Sequence, residues 1–221
     1  MLKYEQVSIS QAKESLLSTH TVLRNTYLLL GLTLLFSSAM TYLAILTNAR
    51  PVGLILMLVG TYGLMFGTMK CRNSSWGLAL CFAFTGFMGY TLGPLVNHYL
   101  QSSGGTNVVM SALGSTGLVF FGLSAVNLIT RKDFGFLGNF LFVGALVLVA
   151  MMIIGIFTHI PLFHLLLSAA FAIFSALMIL FETSQIINGG QRNYIMATIS
   201  LYVSIFNIFV SLLSIFGGDR R

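Results

Sequence analysis

The chain has 221 residues, of which 57% are hydrophobic and only 7% charged; a water-soluble domain carries about a quarter charged residues, so a soluble globular fold is excluded. Its mean hydropathy is +0.92, and its length accommodates about seven lipid-spanning helices of ~20 mostly apolar residues with short links, leaving no room for a separate soluble domain. Eleven Lys and Arg against five Asp and Glu give a net charge of +6, but the basic residues flank apolar runs, which is the pattern of topology signals beside lipid headgroups and not of a nucleic-acid surface.

In chain order, residues 1–24 are polar with mixed charge and are expected to form a cytoplasmic N-terminal tail. The apolar run that follows is too long for a signal-peptide core and lacks a small-residue cleavage site, so the first span reads as an uncleaved signal anchor. Hydropathy predicts spans over 25–46, 52–69, 78–98, 107–129, 134–158, 162–181 and 195–216, hence a membrane domain of 25–216 and a short C-terminal tail of 217–221. Links this short predict sequential helices that run antiparallel and pack as neighbours. On alternate sides, Lys3, Lys13, Arg24, Lys70, Arg72, Arg131, Lys132 and Arg192 stand against Arg50, Arg220 and Arg221. That balance of eight to three predicts a cytoplasmic N-terminus and a C-terminus on the opposite side.

Within the spans, Gly63 with Gly67 and Gly89 with Gly93 have the GxxxG spacing of close helix packing. Pro94 is expected to kink the third span. Cys71 falls in a cytoplasmic loop and Cys81 inside a span, so a structural disulfide is not expected, and neither has partners at zinc spacing. His159 and His164 are five apart around Pro161, unlike the i, i+4 pair of a zinc-binding helix. With no nucleophile elbow and no phosphate-binding glycine loop, no enzyme, cofactor or metal site is expected.

Ser200, Ser204, Asn207, Ser211 and Ser214 follow one another at steps of four, three, four and three, and so share one face of the seventh helix. The stripe extends over ~21 Å at ~1.5 Å per residue, and a polar face of that length turns toward protein or water rather than lipid. Close packing through small hydroxyl residues and a water-lined pathway both account for it. Either reading makes the seventh helix central.

Glu182 is the one acidic residue beside an apolar core, at the cytoplasmic end of the sixth span. An ionisable group there is costly, and its default reading is functional: a proton-sensitive latch with Ser204 and Asn207 as polar companions. The alternative is an interfacial carboxylate that reaches the headgroups or pairs with Lys70 or Arg192 as counter-ion.

The stretch Phe181-Glu182-Thr183-Ser184-Gln185-Ile186, followed by Asn193-Tyr194-Ile195 and Leu201-Tyr202-Val203-Ser204-Ile205-Phe206-Asn207-Ile208-Phe209, resembles the signature of the Bax inhibitor-1 family, in particular its bacterial YccA branch. Supporting blocks lie at 15–20, at Leu23-Arg24-Asn25-Thr26-Tyr27, at 130–138 and at 189–194, so the resemblance covers nearly the whole chain. It implies an all-α transmembrane bundle of seven helices with the last surrounded by the other six. In channel-like members, two aspartates on the sixth and seventh helices form a pH-sensitive latch over a calcium leak. Carried onto this sequence, the first falls on Glu182 and the second on Ser204, which cannot ionise. Two close carboxylates share a proton because like charges repel, and a carboxylate beside a serine lacks that coupling. The resemblance therefore supports the architecture more strongly than a calcium leak. For the YccA branch it implies an interactor, modulator and substrate of the membrane-bound AAA protease FtsH, engaged through the N-terminal tail.

Overall fold

The computed structural model describes residues 2–158 and 160–218, with side chains from residue 20 onward. Of the residues singled out above, His159, Arg220 and Arg221 and the side chains of Lys3 and Lys13 lie outside the described residues. Seven α-helices make up the described fold: α1 (Leu2–Leu46), α2 (Leu54–Lys70), α3 (Ser75–Leu100), α4 (Gly105–Thr130), α5 (Leu137–Phe157), α6 (Pro161–Ile187) and α7 (Tyr194–Gly218). Six are long and apolar enough to cross a bilayer. The apolar α2, with 17 residues, rises ~25 Å and sits at the short end of the spanning range. Large apolar side chains cover the outward faces, among them Ile55 and Phe66 on α2 and Phe142 and Phe157 on α5. Such continuous exposed apolar area is stable only against lipid.

Two boundaries differ from the hydropathy pattern. The backbone of α1 begins at Leu2, so the polar N-terminal segment continues the helix of the first span. The sixth helix runs to Ile187 instead of stopping near residue 181. Glu182, Thr183, Ser184 and Gln185 lower the hydropathy of the window but do not oppose helical hydrogen bonding. The helix stops where Asn188 N donates to Ser184 O at 2.9 Å and Gly189 takes a φ of 76°, a left-handed conformation that favours glycine. Glu182 therefore lies inside α6, more than a turn before its end.

The last helix is central, as its polar stripe implies. It packs chiefly against α1, α3, α4 and α6, while α2 lies on α3 and α5 on α6. The expected ring of six helices is thus a ring of four with two outer members. Sequential packing also fails twice, because α1 and α4 give their inner faces to α3 and α7 rather than to the helix that follows them.

The α1–α3 contact shows why. A Cβ on Gly86, Gly89 or Gly93 would collide with Phe36, with the carbonyl of Ser37 and with Ala44 respectively. These glycines let the two backbones approach, and Thr41 Oγ1 donates across the seam to Gly89 O at 2.7 Å. The other GxxxG pair behaves differently: Gly63 faces open space, and Gly67 only touches Leu80. Pro94 lies within the continuous α3.

Candidate functional site

The polar stripe of α7 faces α6 at both ends. Near the start of α7, Ser200 Oγ donates to Glu182 Oε1 at 2.7 Å; toward its end, Ser168 Oγ donates to Ser214 Oγ at 3.2 Å. One turn beyond Ser200, the buried Ser204 donates to Ser200 O at 3.0 Å, a bond internal to the helix. The carboxyl therefore meets Ser200, and Ser204 stands behind it. Asn207 is half-buried, its side chain without a hydrogen-bond partner among the described residues, and Ser211 is buried on the same face.

The proposed counter-ions are not brought to the carboxyl. Lys70 is exposed at the end of α2, a helix that packs on α3 and away from α6. Arg192 is exposed in the α6–α7 link, where its Nε donates to Gly189 O at 3.4 Å. Among the described residues, Glu182 is held by the Ser200 hydroxyl and by no cation.

On the opposite face of α7 sits a residue that the sequence pattern does not single out. Tyr202 is 1% exposed; its Oη donates to Thr85 O at 3.1 Å and accepts from Ser37 Oγ at 2.6 Å. One phenol thus joins α1, α3 and α7, and its ring meets Phe84 edge-on. A signal was present in the first span, where Thr33, Ser37 and Thr41 recur at steps of four and define a second polar seam.

Two further side chains organise the same end of the bundle. Asn127 of α4, fully buried, donates through Nδ2 to Leu180 O at 2.7 Å, which pins α4 to α6 two residues before Glu182. Asn193 accepts through Oδ1 from Ile195 N and Met196 N, each at 3.1 Å, and so caps the first turn of α7. Its Nδ2 donates to Arg72 O and Asn73 Oδ1, each at 3.0 Å, tying the α6–α7 link to the α2–α3 turn. Asn127 Oδ1 and the hydroxyls of Thr26, Ser124, Ser175 and Thr183 are buried without a hydrogen-bond partner among the described residues.

The chemistry open to this arrangement is proton exchange at one carboxyl. A charged carboxylate accepts a stronger hydrogen bond than a neutral acid, and the bond that joins α6 to α7 here is accepted by the Glu182 carboxyl. Among the described residues, no group of three His, Cys, Asp or Glu is placed to hold a metal ion.

Fold and site together define a multi-pass helical membrane protein whose last helix threads the bundle and is clasped to the sixth by a carboxyl–hydroxyl pair. The chain belongs to the Bax inhibitor-1 family: residues 19–221 match the family described as inhibitor of apoptosis-promoting Bax1. It is 55% identical, over 97% of its own length and 98% of the relative's, to the modulator of FtsH protease YccA of Escherichia coli. It is 50% identical to an uncharacterised protein of Pseudomonas aeruginosa over 98% of this chain and 97% of that one. An uncharacterised membrane protein of Vibrio cholerae shares 43% identity over 92% of both chains. With its apolar helices and a relative named as an inner membrane protein, the chain is a multi-pass inner-membrane protein.

Proposed function

We propose that this chain is a regulator, not an enzyme, which modulates the membrane-bound protease FtsH and is itself a substrate of it. The observation that carries this reading is the 55% identity to the E. coli modulator of FtsH protease across 97% of the chain, a span too long to reflect shared helix composition alone. On this reading residues 1–24 are the cytoplasmic segment that the protease engages, 25–216 are the membrane domain, and 217–221 lie on the periplasmic side. The excess of Lys and Arg on the N-terminal side supports that orientation. Deleting residues 1–13 is expected to lengthen the half-life of the protein several-fold in cells that contain FtsH, measured by pulse-chase. Unchanged turnover, together with failure to co-purify the protease, overturns the reading.

A second reading, a pH-sensitive cation leak that passes calcium, draws on the Glu182–Ser200 clasp and the unpartnered buried polar atoms around it. Glu182 is its latch, with Ser204 and Asn207 as polar lining. Reconstituted protein is then expected to leak calcium in a pH-dependent way that Glu182→Gln makes insensitive to pH. Liposomes as tight as protein-free controls at every pH rule this out.

A further inference from the structure

Between the α2–α3 turn and the α6–α7 link lies a cavity of about 460 Å³, lined by Arg72 and Arg192, by Ser74 and Ser75 at the start of α3, and by the apolar Leu78 and ring of Tyr194 among others. Among the described residues, no carboxylate lines it. Among the described residues, the Arg72 guanidinium has no partner, and Arg192 engages only its Nε, at 3.4 Å, with neither terminal amino group bonded. Ser74 Oγ accepts from Trp76 N at 3.4 Å, and its own proton remains to be donated. The two arginines come from different links, and the bonds from Asn193 to Arg72 O and Asn73 Oδ1 hold those links together.

Two guanidinium groups facing one cavity repel each other, and an anion between them converts that repulsion into attraction. The planar fork of guanidinium matches the oxygens of phosphate in a two-point contact. An apolar flank also accompanies the charge. Trp76, 72% exposed, stands two residues after Ser74, and tryptophan settles at the headgroup level of a bilayer. We propose that this cavity binds a phosphate group, and that its natural source is the headgroup of an anionic phospholipid whose chains lie along α3. Basic pockets between spanning helices recognise such headgroups. A lipid seated there would brace the α2–α3 turn against the α6–α7 link, at the end of the bundle that carries the Glu182 clasp.

Trp76 is the only tryptophan in the chain and adjoins the lining residue Ser75, so its fluorescence reports lipid beside the cavity. The full-length protein is placed in phosphatidylcholine nanodiscs that contain an equal mole fraction of brominated phosphatidylglycerol or of brominated phosphatidylcholine. Preferential quenching of roughly tenfold by the anionic lipid is expected. Substituting Arg72→Gln with Arg192→Gln abolishes it, whereas Arg131→Gln with Lys132→Gln, which removes the same charge at another link, preserves it. If the lipids quench alike but inorganic phosphate saturably shifts the fluorescence of the wild type and not of the Arg72/Arg192 variant, the site takes free phosphate. Equal quenching with no response to phosphate overturns the proposal, as does a preference that survives loss of both arginines. All four substituted residues are exposed, and a monodisperse variant confirms that the comparison is between folded proteins.

Discussion

Replacing Gly89 with alanine is expected to destabilise the bundle by about 2 to 3 kcal/mol, whereas the same change at Gly63 leaves stability unchanged or raises it by ~0.5–1 kcal/mol. Both glycines belong to GxxxG pairs, and only their surroundings differ. A methyl at Gly89 meets the carbonyl of Ser37, a backbone atom that moves only if the whole of α1 moves. Separating α1 from α3 also lengthens the bond from Thr41 to Gly89 O and the Ser37–Tyr202 contact, so the strain spreads to α7. At Gly63 a methyl meets no atom of the described residues within 4 Å, and alanine reduces the freedom of the unfolded chain. Thermal unfolding of the two variants in detergent, side by side, checks the pair. A Gly89→Ala midpoint equal to that of the wild type is incompatible with the α1–α3 seam described above.

Truncating Tyr202 to alanine is expected to cost about 3 to 5 kcal/mol, the range for removal of a buried aromatic side chain. The ring is among the largest fully buried groups in the protein, and its hydroxyl closes a three-helix junction. Tyr202→Phe isolates the polar part. It keeps the packing against Phe84 but leaves Ser37 Oγ and Thr85 O to find other partners. A double-mutant cycle of Tyr202→Phe with Ser37→Ala is expected to give a coupling of ~0.6 kcal/mol, with an upper bound of ~1.7 kcal/mol, as for other hydrogen bonds within a membrane. A phenylalanine variant as unstable as the alanine variant would assign the effect to the hydroxyl instead of the ring.

Lipid makes the architecture unusually legible, because a spanning helix shows itself by length and a polar face within it has only an inward direction to take. The central place of α7 can accordingly be read from Ser200, Ser204, Asn207, Ser211 and Ser214 alone. Which of these hydroxyls meets Glu182 cannot be read, since the answer, Ser200, depends on how far α6 and α7 slide past each other. Ser204 and Asn207 share the stripe without touching the carboxyl for the same reason. Lys70 and Arg192 fit the C-terminal end of the sixth span by position, but helix order along the chain does not state which helices face each other, and α2 is turned to α3. The two GxxxG pairs are indistinguishable as strings; only the tertiary fold separates a seam from a lipid-facing surface. Tyr202 is hidden for a different reason. A tyrosine in an apolar span is a common interfacial residue, and its role as a junction emerges only when Ser37 and Thr85 are seen on either side of it.

The most direct test of FtsH modulation is to reconstitute purified FtsH in proteoliposomes with a second membrane protein as substrate, with and without an equimolar amount of this chain. Degradation of the second protein is expected to slow several-fold in the presence of the full-length chain, and an unchanged rate would contradict the proposed function.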